Sequence, residues 1–202
     1  MMKIKILQWI LIIFLIPADL MYLFLGYRKV IDADMERLID EIPYAKEGIP
    51  ALNYLLLVNK PFRNVFYYRV RNSLILKNLS RVFIKPLNTI EIEGRIKGGL
   101  RISHNYAVIH PESAGENLFV GHGATIGKND REKGKQHYPI IGDNVSIYAN
   151  AVVFGSITIG NNVLIGAGAI VNRDIPDNCT VVGNPCRIIS HMEEKGECTD
   201  GF

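Results

Sequence analysis

Residues 137–171 read HYPIIGDNVSIYANAVVFGSITIGNNVLIGAGAIV, with an aliphatic residue at every sixth place from Ile141 through Ile147, Val153, Ile159 and Ile165 to Val171. Beyond a break at residues 128–139 the same step runs back from Ile126 through Val120, Ala114, Val108, Ile102 and Ile96 to Ile90, so that twelve of thirteen positions are Ile or Val. A period of six is that of a parallel β-helix, in which three hexads close one triangular coil. Thirteen hexads predict about four coils, stacked about 4.8 Å apart. Glycine often follows the aliphatic position (Gly115, Gly121, Gly127, Gly142, Gly160, Gly166), which suits tight turns. Two places before the next aliphatic position lies a second apolar column of Leu100, Leu118, Ala124, Val145, Ala151, Ile157, Val163 and Ala169.

Residues 128–139, KNDREKGKQHYP, fall outside the frame and are polar and charged. They are expected to leave the scaffold as a loop, a common place for function.

The half before residue 88 has a different composition, with long apolar runs and few glycines. From Ile6 to Ile16 only Gln8 is polar, then Pro17 and Asp19 interrupt, and a second apolar run reaches Tyr27. A membrane span wants roughly 20 uninterrupted apolar residues, so three readings of residues 6–27 stay open: membrane association, a cleaved signal, or a helix buried in an oligomer. Lys3, Lys5, Arg28 and Lys29 flank both ends and set no orientation. Residues 31–88 read as helical, with an aspartate at the head of DADMERLIDEI able to cap, and Pro61 breaking or opening a helix. The aromatic and arginine group from Phe62 to Arg71 suits helix packing better than binding of lipid head groups or polysaccharide. The predicted organisation is an apolar segment (1–30), a helical region (31–88), a β-helix domain (89–190) with its loop at 128–139, and a tail (191–202).

Composition narrows the function. The chain has 202 residues, 48% apolar content and a net charge of +3 spread without a basic face, which argues against nucleic-acid binding. Cys179, Cys186 and Cys198 lack paired zinc-site spacing and read as free thiols in a reducing compartment. No metal is expected.

HNYAVI (104–109), VGHGATIG (120–127), the stretch 137–171 and DIPDNCTVVGNPCRII (174–189) together resemble the hexapeptide-repeat acyltransferases, and among them the serine O-acetyltransferase branch. The resemblance covers about Ile90 to Ile189, half of the chain. It implies a left-handed β-helix, a homotrimer, acetyl-CoA as donor, and active sites in clefts between adjacent subunits. By that resemblance His104 is the general base that takes the proton of the acceptor hydroxyl, work suited to a neutral imidazole. His137 matches a second active-site histidine, with Tyr138 intervening before Pro139, and His122, one coil from His104, assists. Ala149 and Ala167 match small residues lining the coenzyme A groove, and Thr125, Gly127 and Lys128 join them as coenzyme A contacts.

The departures from the family pattern concern the acceptor. Ser103 stands where the family has an aspartate and Gln136 where it has an arginine, charges that help hold the amino and carboxylate groups of serine. Their loss favours a sugar or glycan-precursor hydroxyl as acceptor over L-serine, with the apolar N-terminus at the inner face of the cytoplasmic membrane. The aspartate that orients the base is also absent: Thr89 occupies its place, and either Glu91 or Glu93 is expected to take over or a backbone carbonyl to hold the histidine. His110 is expected to be a surface residue. Acetyl-CoA supply places the β-helix in the cytoplasm. A non-catalytic scaffold and a zinc carbonic anhydrase of β-helical type are the competing classes.

Overall fold

The computed structural model describes residues 2–42, 47–129 and 137–191. Residues 130–136 and 192–202, and with them Gln136, Cys198, most of the expected loop and most of the tail, lie outside the described residues. The chain divides into two compact units, residues 1–88 and 89–202.

The first unit contains α1 (Met2–Phe24), α2 (Arg28–Glu36), α3 (Gly48–Val58), α4 (Lys60–Arg69) and α5 (Leu74–Phe83). In α1 a stripe of Leu15, Ala18, Met21 and Tyr22 is buried in a core shared with Ile31, Leu52, Leu55 and Phe66. The helix runs on through Pro17, although an internal proline costs about 3 kcal/mol. Burial of that stripe on both sides of the proline offsets the loss. Among the described residues no helix is long and apolar enough to cross a membrane.

One expectation for this unit changes. Asp32 caps nothing, because α2 already starts at Arg28; its carboxylate accepts the Tyr22 hydroxyl at 2.6 Å. The cap that forms is Asn59, whose side chain accepts from the Phe62 backbone N–H at 2.9 Å, with Pro61 in the first turn of α4. The aromatic and arginine group packs inward. Arg69 is buried and makes a two-pronged ion pair with buried Asp34, at 2.8 and 2.9 Å, and Arg71 lies 4.4 Å from the centre of the Tyr68 ring.

The second unit is a left-handed parallel β-helix with three faces. The first stacks β1 (Ile90–Ile92), β4 (Ala107–Ile109), β7 (Thr125–Gly127), β10 (Val152–Phe154) and β13 (Ile170–Val171). The second stacks β2 (Arg95–Ile96), β5 (Ser113–Ala114), β8 (Ile140–Ile141) and β11 (Thr158–Ile159). The third stacks β3 (Arg101–Ile102), β6 (Phe119–Val120), β9 (Ser146–Ile147), β12 (Leu164–Ile165) and β14 (Cys179–Val182). β15 (Arg187–His191) then pairs antiparallel with β14 and covers the open end of the stack. The first face holds its five strands by the hexad count alone, while residues 174–182, lacking the aliphatic step, add a fifth coil strand to the third face and a bridge from Ile175 to Ile159 on the second.

The interior is the predicted aliphatic column with one slip. Val108 is only half-buried, and its neighbours Ala107 and Ile109 point inward instead. Five residues (103–107) separate Ile102 from Val108, whereas four (121–124) separate their partners Val120 and Thr125. The extra residue turns β4 over by one place, as any one-residue shift in a strand must. The corner at 110–112 is correspondingly short, and Ala114 is back in frame.

A charged group in the helical core gives a measurable consequence. Desolvation of Asp19 pushes its carboxyl up from 3.8 to about 6, against a weak hydrogen bond from Asn53 at 3.4 Å. The folded state therefore holds the proton more tightly than the unfolded chain, so the penalty on folding is absent below about pH 3.8 and complete above about pH 6. Asp19→Asn should raise the melting temperature by a few degrees at neutral pH, a gain that fades as pH falls through this window. Thermal melts of both proteins across the window check it; a pH-independent difference would contradict it.

Candidate active site

Three corners join the faces. One is formed by residues 103–106, 121–124, 148–151 and 166–169, and it carries the histidines. Strand register aligns Ile102, Val120, Ile147 and Ile165 in successive coils. The residues two places on, His104, His122, Ala149 and Ala167, therefore form a single column down this corner. His104 and His122 are exposed, with ring centres 5.8 Å apart and planes at 88°. Tyr106 lies 6.2 Å from His122.

Close stacking makes this column possible. A Cβ on Gly121 would sit 2.6 Å from the Ala149 backbone nitrogen, so the corner leaves no room there for a side chain. Lower down, Gly168 has φ of 69° and open space around it, beside exposed Ala167 and half-buried Ala149. The lowest turn of this corner, residues 166–169, carries only small side chains.

His104 is also held in an unusual backbone conformation, with φ of 67°. The five other non-glycine residues in the left-handed region among those described, 117, 144, 150, 162 and 178, are all asparagine, which tolerates it through local hydrogen bonding. Histidine gains little there, and such conformations cluster where function over-determines them. The extra residue of this corner is the local cause.

The structure relocates the expected orienting groups. β1 runs from the histidine corner at Thr89 to the opposite corner at Glu93, so its acidic residues lie progressively farther from His104. Glu91 faces His110, with its carboxylate 3.7 Å from Nε2, and does not contact His104. Glu93 lines a groove at the far corner. Thr89, by contrast, donates its hydroxyl to the carbonyl of Asn105, next to His104, and its own carbonyl accepts from the Ala107 N–H at 3.2 Å. Thr89 thus pins the loop that carries His104, and hydroxyl-to-backbone anchoring of this kind has no spacing signature in sequence. His110 is not a surface residue: its side chain is 21% exposed, and its Nε2 is buried without a hydrogen-bond partner.

His137 is exposed at the corner formed by residues 93–94, 110–112, 128–129 and 137–139, and its carbonyl accepts from the Asn129 N–H at 3.3 Å. Thr125 and Gly127 lie on β7, and exposed Lys128 follows them towards that corner. One chain therefore brings His104, His122, Ala149 and Ala167 together and leaves His137 and Lys128 at another corner. Among the described residues no three His, Cys, Asp or Glu side chains are grouped as metal ligands would be.

Comparison with known proteins agrees with this architecture. Residues 138–173 match the family described as bacterial transferase hexapeptide (six repeats). A serine acetyltransferase of Synechococcus elongatus is 35% identical over 175 residues, covering 80% of this chain and 68% of that protein. One of Bacillus subtilis is 33% identical over 180 residues, covering 83% and 79%. The chain belongs to the serine acetyltransferase family. Among solved structures, the Neisseria gonorrhoeae serine acetyltransferase superposes with a TM-score of 0.65 at 28% identity, covering 87% of this chain and 69% of that one. The soybean enzyme complexed with serine gives a TM-score of 0.60 at 29% identity, covering 81% and 70%. This family member is an acyltransferase that takes its acetyl group from acetyl-CoA.

The backbone of His104 separates its chemical role from its structural one. Asparagine keeps the left-handed turn, so His104→Asn should melt within a degree or so of wild type while kcat falls by about 10²–10⁴. Turnover and thermal melts on the same preparation check both halves; unchanged kcat would remove His104 from the mechanism.

Proposed function

We propose that the protein acetylates the hydroxyl of L-serine, working in the cytoplasm as a homotrimer whose sites lie between copies. The observation that carries this reading is the column of His104 and His122 above Ala149 and Ala167, in a chain whose relatives are named serine acetyltransferase. The sugar acceptor expected from Ser103 and Gln136 finds no support among those relatives, and L-serine takes its place.

In the reaction the acceptor hydroxyl approaches the thioester carbonyl while His104 removes its proton. The new C–O bond forms as the carbonyl electrons move to oxygen. Collapse of the tetrahedral intermediate breaks the C–S bond, and the proton on His104 passes to the departing coenzyme A thiolate. Transfer is direct, because among the described residues no cysteine or serine sits in a nucleophile setting. Cys179 is buried and donates to the Asp177 carbonyl at 3.3 Å, and the same burial raises its thiol above the ordinary range.

Two experiments follow. Wild-type protein given acetyl-CoA with L-serine, and separately with a panel of sugars and nucleotide sugars, should turn over L-serine fastest. A sugar clearly preferred over serine overturns the acceptor, and no transfer to any hydroxyl overturns the reaction. The site between copies has its own test. His104→Asn and His137→Asn are each expected to be weak alone. Unfolded and refolded as a mixture, they should recover roughly a quarter of wild-type activity, because some interfaces then pair an intact His104 with an intact His137. No recovery, with trimers shown by sedimentation, would place both histidines in one copy's site or remove one of them.

A further inference from the structure

The helical unit carries an apolar face that neither its own core nor the acetyl-transfer site uses, and α5 shows it most clearly. Leu76 and Ser80 of this helix turn to the core. Ile75, Leu79 and Val82, at i, i+4 and i+7, form a second stripe that stays in solvent. Ile75 is 84% exposed, the most of any large apolar side chain among the described residues. On α1, Ile16, Leu20 and Leu23 are exposed while Leu15, Ala18 and Tyr22 are buried in the core. Phe14 of α1 stacks on Phe83 of α5, with ring centres 4.1 Å apart, and joins the two stripes. Single apolar residues in solvent are ordinary, but a group continuous over two packed helices marks an interaction surface. Because protein covers one side of α1 from Leu15 to Tyr22, this part of the helix lies along whatever it meets.

Charge decides what that is. Residues 48–90 contain seven Lys or Arg and no Asp or Glu. Two of the seven are used inside the unit: Arg69 pairs with Asp34, and Arg63 donates to the carbonyls of Leu56 and Leu57 at 2.7 and 2.8 Å. Among the described residues no carboxylate pairs with Arg71, Lys77, Arg81 or Lys85. Lys77 and Arg81 stand one turn apart on α5. Lys77 donates to the Arg71 carbonyl at 2.7 Å, and Arg81 lies 5.3 Å from the centre of the Tyr67 ring. These contacts fix the cations along the flank of the helix, away from the exposed stripe. Aliphatic residues on one side and Lys and Arg on another are the pattern of a helix lying in the plane of a lipid surface. A second copy suits the face less well. In a twofold contact the same patch meets itself, so Arg81 would approach a segment as basic and acid-free as its own.

We infer that the exposed faces of α1 and α5 form a docking surface for an anionic lipid bilayer. Ile16, Leu20, Ile75 and Leu79 enter the acyl boundary, and Arg71, Lys77, Arg81 and Lys85 meet the headgroup phosphates. The apolar stripe supplies attachment to any bilayer, and each cation near an anionic surface multiplies the affinity about fivefold. The surface lies outside the His104 column, so attachment positions the enzyme and leaves the acetyl-transfer chemistry as it is.

The test is flotation of the full chain with vesicles of phosphatidylcholine alone and of phosphatidylcholine mixed with phosphatidylglycerol in equal parts. Wild type should bind the mixed vesicles at least about tenfold more tightly. Arg81→Gln/Lys85→Gln should lose about tenfold or more on the mixed vesicles and little on phosphatidylcholine alone. Ile75→Ser/Leu79→Ser should lose binding to both. These four side chains are exposed, so the variants should melt and turn over acetyl-CoA as wild type does. Wild type that floats with neither vesicle, that binds both alike, or whose binding survives in both double variants overturns the inference. Sedimentation without lipid tests the other occupant: if Ile75→Ser/Leu79→Ser breaks a larger wild-type assembly into a smaller one, a second copy covers the face and the lipid surface falls.

Discussion

Everything in the β-helix follows from one spacing, the distance at which parallel strands of successive coils hydrogen-bond, about 4.8 Å. At that distance each corner must turn within a few residues while its backbone N–H groups reach the coil beside it. Two kinds of residue meet the requirement. Glycine yields where a Cβ would enter the neighbouring backbone, as at Gly121 against Ala149. Asparagine adopts the left-handed turn, and at one corner Asn117, Asn144, Asn162 and Asn178 also bond side chain to side chain in a ladder at 2.9–3.0 Å. The stack is therefore rigid at its corners, and a functional group placed on a corner inherits that rigidity.

Period made the scaffold legible because the interior is a column whose repeat the sequence must copy. It failed at Val108, where one added residue at the His104 corner and a shortened next corner cancel in the count, so the aliphatic step seems unbroken while β4 has turned over. The same slip hid the character of His110. Counted in hexads it resembles His104 and His122; in space it follows inward-facing Ile109 and belongs to a different corner. Spacing was enough to stack His104 and His122, 18 residues apart, on one corner. It was not enough for Thr89, whose part is played through a backbone carbonyl.

The helical half was the least legible, for a related reason. An apolar run such as that of α1 has no period strong enough to say which side is covered. The structure buries one stripe and leaves Ile13, Ile16, Leu20, Leu23 and Phe24 exposed, together with Leu74, Ile75, Leu79, Val82 and Phe83 on α5. Phe14 and Phe83 stack at 4.1 Å, so the two helices present these side chains as neighbours. Local pattern distinguishes helix from strand; it does not distinguish a face that is buried from one that is merely apolar.

The His104 corner and the opposite corner also differ in how much freedom they leave their side chains. At the His104 corner the turn is overfull, with an added residue, a left-handed histidine and a loop anchored by Thr89, so a charged side chain there is constrained by the same geometry that fixes the base. The opposite corner carries no such burden. Its residues project from strand ends whose main-chain bonds are already satisfied, and charge can be exchanged among positions 93, 95, 110 and 112 without disturbing the coil. Side chains at the second corner can therefore vary while those at the His104 corner stay fixed. A fold of this kind allows relatives to share the acetyl-transfer step and still differ in the residues that hold what is acetylated.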